Sequence, residues 1–141
     1  MSLQAVLLPL FVQVGLTFFL MCWLALVRTS AVTRGEVKIR DIALGQPAWT
    51  EPATKVGNAF CNQFELPLLF YVLVVLAIIA RKADYLFVAM AWIFVVSRIV
   101  HAAIHTGSNN VPQRLYAYAV GAIVLMLMWI IFAVRVLLGL G

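Results

Sequence analysis

Four long apolar runs, at residues 3–28, 57–80, 84–106 and 112–139, limit what this chain can fold into more than any other feature. At a rise of about 1.5 Å per residue, each run crosses the roughly 30 Å hydrocarbon core of a bilayer. Backbone groups in lipid must be satisfied within their own segment. Continuous runs of this length therefore predict helices, because barrel strands would be about ten residues of alternating polarity. The expected fold class is all-α, a transmembrane four-helix bundle, with residues 1–141 forming a single integral membrane domain. Composition excludes the soluble alternative: 65% of residues are hydrophobic and 11% charged, against about half and a quarter in soluble domains. The first run is too long for a signal-peptide core and has no basic segment before it, so it reads as a retained span.

The connections are unequal. Residues 29–56 form one long loop, punctuated by Gly35, Gly45, Pro47 and Pro52, whereas residues 81–83 and 106–111 are tight turns. The loop end of the bundle collects Arg28, Arg34, Lys38, Arg40, Lys55 and Arg114, and the opposite end holds only Arg81, Lys82 and Arg135. The positive-inside rule then predicts a cytoplasmic loop with both termini outside. The net charge of +5 is spread around the ends of spans, where orientation and anionic lipid account for it, so no nucleic-acid partner is expected. Cys22 and Cys61 show neither a disulfide framework nor metal-ligand spacing.

Polar side chains inside spans are costly and mark functional sites. Asn58, Asn62 and Glu65 follow i, i+4, i+7 spacing, and Arg98, His101 and His105 follow i, i+3, i+7, so each set occupies one helix face near the loop end. Arg114 and Tyr118 repeat the pattern in the fourth run, and Arg28 closes the first, with Gln13 and Thr17 deeper on a similar stripe. Glu65 and Arg98 both lie about 12 Å from the loop end, at 1.5 Å per residue. Equal depth predicts an ion pair between them. Pro67 predicts a kink just below Glu65. The whole reads as a cation-rich pocket for an anionic ligand, surrounded by lipid-facing apolar residues.

Each element also has a plainer reading. Glu65 with Arg98 works as a helix staple, Arg114 as a snorkelling anchor, and Tyr118 as part of an aromatic belt. The pair His101 and His105 suits haem or metal only with further ligands, so no metal is expected. Cys61 has no base near it in sequence to make it a nucleophile. Trp23, Trp49, Trp92 and Trp129 read as interface anchors or packing.

The stretch from Asn58 through Asn62, Glu65 and Pro67, followed by Arg98-Ile-Val-His101 and Arg114-Leu-Tyr-Ala-Tyr118 with Gly121 beyond, resembles the MAPEG family, membrane-associated proteins in eicosanoid and glutathione metabolism. The resemblance covers essentially the whole chain. Its motif spacing is similar to the microsomal prostaglandin E synthase pattern, and its type is that of bacterial members. The resemblance implies a homotrimer that holds glutathione between subunits near the cytoplasmic face. It assigns cofactor contact to Arg28, Asn58, Asn62, Glu65, Arg98, His101, His105, Arg114 and Tyr118, with Arg114 and Tyr118 as the catalytic pair that stabilises the thiolate. The sequence departs from the family pattern where Asn58 and Cys61 stand in place of arginines that grip glutathione carboxylates. Charged hydrogen bonds of that kind contribute roughly 1.5–3 kcal/mol each. His105 stands at a commonly aromatic position, and Leu115 at a polar one.

The function expected from this reading is a glutathione-dependent membrane transferase or peroxidase acting on a small lipophilic electrophile, with membrane lipid as its other partner and a bacterial inner membrane as its location. Two alternatives stay open: a non-catalytic lipid-binding protein of the same fold, and a small proton-coupled multidrug exporter built on Glu65.

Overall fold

The first helix starts at Ser2, whose hydroxyl accepts the Ala5 N–H at 3.2 Å and satisfies one donor that a helix start leaves unpaired. In the computed structural model the described residues are 2–45 and 47–139; residues 1, 140 and 141 of the expected domain and Gln46 of the expected loop lie outside them. Helix α1 spans Leu3–Thr33, passing the end expected at residue 28. Nothing between Arg28 and Thr33 breaks a helix, and the Thr33 hydroxyl donates back to the Thr29 carbonyl at 2.7 Å. The chain turns away only at Gly35, at φ +75°, where the missing Cβ makes a left-handed backbone inexpensive.

The loop then contains one short turn of helix, α2 (Ile39–Ile42). Helix α3 spans Glu51–Asn62 with Pro52 in its first turn, so Pro52 starts a helix rather than interrupting a loop. A proline costs little there, because the N–H it lacks has no intrahelical partner. The second span thus begins before the expected residue 57, and it is not continuous. The N–H groups of Gln63, Phe64 and Glu65 donate to carbonyls three residues back, at 3.0, 3.1 and 3.2 Å. Helix α4 (Leu66–Ile79) starts afresh with Pro67 in its first turn. The kink expected at Pro67 is therefore a three-residue break at 63–65.

Helices α5 (Tyr85–Thr106) and α6 (Val111–Leu137) are both capped by side chains. Asp84 accepts from Phe87 N–H at 3.0 Å, and Asn110 accepts from Gln113 N–H at 3.1 Å. Among the described residues there is no strand, and four stretches are long and apolar enough to cross a membrane: Leu3–Thr33, Glu51–Ile79, Tyr85–Thr106 and Val111–Leu137. The protein is an all-α, integral membrane four-helix bundle.

The end of the bundle away from the loop is apolar. Phe70, Leu73, Phe94 and Val95 are fully buried there together with Met128 and Leu125, and the Phe70 and Phe94 rings stack at 4.7 Å. Arg135, embedded at that end, finds its partner in Asp84, with Nη1 at 2.7 Å from Oδ2. Burial alone would raise the Asp84 carboxyl pKa. The Phe87 N–H bond and the Arg135 guanidinium outweigh it and hold the pKa below the usual carboxylate value. At the loop end, small Ala59 and Ala102 let α3 and α5 approach Leu20 of α1, which leaves the polar side chains gathered on the other side of α3 and α5.

Candidate functional site

Between α3, the helix break, α5 and the start of α6 lies an open-sided cleft of about 420 Å³. Asn58, Cys61 and Asn62 enter it from α3, and Glu65 enters from the break. His101 and His105 come from α5, and Arg114 and Tyr118 from α6. Three sequence-distant segments meet here, and α3 ends at Asn62 just where α5 passes: Asn62 Nδ2 lies 3.2 Å from His101 Nδ1. The amide nitrogen has only hydrogens to offer, so it is the donor in this pair. The His101 ring meets that of His105 edge-on, with centroids 5.5 Å apart, and lies 5.8 Å from that of Tyr118. His105 Nδ1 is buried without a hydrogen-bond partner. Among the described residues no group of three His, Cys, Asp or Glu side chains is placed to hold a metal ion.

The expected Glu65–Arg98 ion pair does not form. Arg98 is fully buried and its three guanidinium nitrogens have no hydrogen-bond partner, whereas Glu65 is exposed at the break and faces the cleft. The tight turn at 63–65 gives Glu65 a non-helical backbone, at φ −96° and ψ −106°, yet Glu65 still opens into the cleft with Asn58 and Asn62, a surface from which Arg98 is absent. Arg98 instead lies over the Tyr118 ring, with Cζ 5.1 Å from its centroid. That attraction to the ring's negative face partly offsets desolvation. Arg98 does not line the cleft; it backs Tyr118, which does. Gly121, a turn further along α6, lets the two helices meet at this level: a Cβ there would fall 2.6 Å from Ser97 Oγ.

Arg114 is held by a residue that the sequence reading passed over. Its Nη1 donates to Asn109 Oδ1 at 2.7 Å. Asn109 sits in the α5–α6 turn at φ +53°, a left-handed conformation that asparagine tolerates better than most residues. Its N–H donates to the Ile104 carbonyl at 2.7 Å, and Lys55 Nζ reaches across from α3 to the Gly107 carbonyl at 3.0 Å. The turn is thus tied to both helices beside it, and it orients one edge of the guanidinium. The doublet Asn109-Asn110 signals a turn in the sequence, but nothing in the spacing reveals that one asparagine caps a helix and the other grips Arg114.

Arg28 lies apart from the cleft. It stacks on Trp49 of the loop, 4.6 Å from the ring centroid, and passes Gly57 of α3. Two further polar contacts sit deeper, between α1 and the second span. Gln13 Nε2 donates to Gln63 Oε1 at 2.6 Å, both side chains being buried, and Thr17 pairs with the Tyr71 hydroxyl at 3.4 Å. Gln13 and Thr17 were legible as a polar stripe. Gln63 was not, because it lies off the face shared by Asn58, Asn62 and Glu65.

Four membrane-length helices with a polar cleft set into one end define an integral membrane protein. Its sequence matches the MAPEG family over residues 6–134, and the chain belongs to that family. No curated protein and no solved structure matches it.

Proposed function

We propose that the protein is a glutathione-dependent membrane transferase or peroxidase acting on a lipophilic electrophile. The observation that carries this reading is the convergence of Arg114, Tyr118, Asn62, His101 and Glu65 on one cleft, combined with family membership. The donor set suits a zwitterionic thiol peptide. Arg114, Asn58 and Asn62 offer donors for carboxylate and amide oxygens, Glu65 accepts from an amine, and a cleft of this volume lies in the ordinary range for small ligands.

Bound glutathione would supply the nucleophilic sulfur. Arg114, with one edge fixed by Asn109, has further N–H donors to direct at a negative sulfur, and the Tyr118 hydroxyl adds another. Both favour the thiolate over the thiol. Arg98 acts from behind Tyr118, fixing its ring. The exposed apolar flanks of α5 and α6 offer a route for a greasy electrophile from the bilayer. In this reading three copies assemble as a homotrimer around such clefts, each chain being a single membrane domain. The loop faces the cytoplasm and both termini lie outside. The type is bacterial, placed in the inner membrane, with motif spacing similar to microsomal prostaglandin E synthase.

The test is calorimetric titration of glutathione into the purified, detergent-solubilised protein beside Arg114→Ala. Saturable binding that weakens at least about tenfold in the variant, equivalent to roughly 1.4 kcal/mol, supports the assignment. Absence of binding by the wild type at millimolar glutathione overturns it.

A second reading, lipid binding without chemistry, draws on a different feature. An apolar groove of about 450 Å³ between α5 and α6 is lined by Trp92, Val96 and Val120 among others, and Asn58 and Cys61 supply no cation to the cleft. Binding of a fluorescent fatty acid by a protein that ignores glutathione would favour it.

A further inference from the structure

The cleft offers a ligand one charge of each sign. Among the described residues that line it, Arg114 is the only cation of the Lys and Arg type and Glu65 the only carboxylate. His101 and His105 are mostly neutral at about pH 8, above the ordinary imidazole pKa near 6.5. Other cations of this end of the bundle are engaged elsewhere. Arg98 is buried behind Tyr118, against the face of its ring. Lys55 Nζ is held by the Gly107 carbonyl at 3.0 Å and by Glu51 Oε1 at 3.3 Å, and Arg28 stacks on Trp49. None of the three lines the cleft.

Glutathione carries two carboxylates and one ammonium, and its sulfur becomes a third negative centre when ionised. Glu65 can take the ammonium. The γ-glutamyl carboxylate sits on the same carbon as that ammonium and is partly balanced by it. Arg114 can balance one more negative centre, and the proposed reaction directs it at the sulfur. The glycine carboxylate is then left with neutral donors from Asn58 and Asn62, in a cleft that also holds the Glu65 carboxylate. Neutral hydrogen bonds position a carboxylate without cancelling its charge, and a like charge in the same site repels it. We infer that the cleft, as the proposed glutathione-type site, selects a peptidic aminothiol whose C-terminal carboxylate is masked as an amide. Asn58 and Cys61 are the positions that set this preference. Both are exposed on α3, three residues apart on one face, and both open into the cleft. An arginine at either would supply the missing cation; an amide and a thiol do not.

The experiment titrates the full-length protein in detergent, at about pH 8, with two probes read by calorimetry. One is glutathione. The other is glutathione carboxamide, in which a primary amide replaces the glycine carboxylate, so that the charge is lost while size and apolar surface stay nearly the same. The carboxamide should bind the wild type roughly three- to tenfold more tightly than glutathione. Asn58→Arg should cancel or reverse that preference, whereas Asn58→Gln should keep it. Cys61→Arg adds the cation from the same face and should act alike, which keeps the test intact if one arginine variant does not fold. Glutathione binding the wild type as tightly as the carboxamide, or more tightly, overturns the inference and leaves the proposed function standing. A preference that neither arginine variant diminishes overturns it too, because charge at this surface would not be its cause. Binding of the carboxamide alone supports the inference and removes glutathione itself from the proposed reaction. Binding of neither probe at millimolar concentration removes the glutathione-type site and the inference with it.

Discussion

Replacing Gly121 with alanine tests the close approach of α5 and α6 that supports the cleft. The added Cβ would lie 2.6 Å from Ser97 Oγ, 3.7 Å from Ser97 Cβ and 3.8 Å from Arg98 Nε. Only the first contact is impossible, falling roughly 1 Å inside an ordinary non-bonded separation. Ser97 Oγ cannot turn away freely, because it donates to the Phe94 carbonyl at 2.6 Å. Either that bond breaks, at about 1 kcal/mol, or the helices part, at roughly 1–3 kcal/mol for overpacking. Alanine's better helix propensity returns at most about 1 kcal/mol. The expected net loss is about 0–2 kcal/mol, a Tm lower by up to roughly 8 °C, read by thermal unfolding in detergent. The same variant should weaken glutathione binding, because Tyr118 and Arg98 sit at this level of the helix pair. The double variant Ser97→Ala/Gly121→Ala removes the clashing oxygen and leaves only the 3.7 and 3.8 Å contacts, so its Tm should return to the wild-type value or exceed it. A single variant more stable than the wild type, or a double variant no better than the single, would refute the reasoning.

Further perturbations address other contacts. Asn109→Ala releases the edge of Arg114 held at 2.7 Å and should weaken glutathione roughly three- to tenfold by calorimetry, about 0.7–1.4 kcal/mol, less than the full worth of a hydrogen bond to a charged group because Arg114 itself remains, while leaving Tm nearly unchanged. Gln63→Ala strips buried Gln13 of its partner and should destabilise by about 1–3 kcal/mol. Gln13→Leu/Gln63→Leu, which removes both polar groups, should recover most of that in the same unfolding assay. The Asp84 pKa is lowered from 3.8 in the folded state by Phe87 N–H and Arg135, so its contribution is full above that value and is lost as pH falls through the folded pKa. Asp84→Asn should therefore lower Tm at neutral pH and flatten the acid limb of the Tm–pH curve below about pH 4. An unchanged acid limb would show that the Arg135 contact adds nothing.

The architecture was legible because lipid leaves few choices. Runs of this length and polarity must be helices that satisfy their own backbone, so the four spans follow from residue order alone. Much of the site was legible for a related reason. A polar side chain within such a run is expensive enough that Asn58, Asn62, Glu65, His101, His105, Arg114 and Tyr118 stand out, and helical spacing places each set on a face. Periodicity also misled. It gives depth but not which surfaces face each other: Glu65 opens into the cleft with Asn58 and Asn62, whereas Arg98 lies behind Tyr118. Arg28 was grouped by depth with the other cations, yet depth says nothing of direction around the bundle, and Trp49 holds it elsewhere.

The sequence by itself determined the solvent, the number of spans, and the residue types concentrated at one end, because these depend on composition and on spacing within single helices. The tertiary structure decided which faces meet, and with them the pairs Asn62–His101, Gln13–Gln63, Arg114–Asn109 and Arg135–Asp84. It also left Arg98 beneath an aromatic ring rather than beside a carboxylate. Such pairings depend on where a helix breaks and on how closely two helices approach. A few ångströms, set by Pro67 and Gly121, changed the partners without changing the hydrophobic pattern.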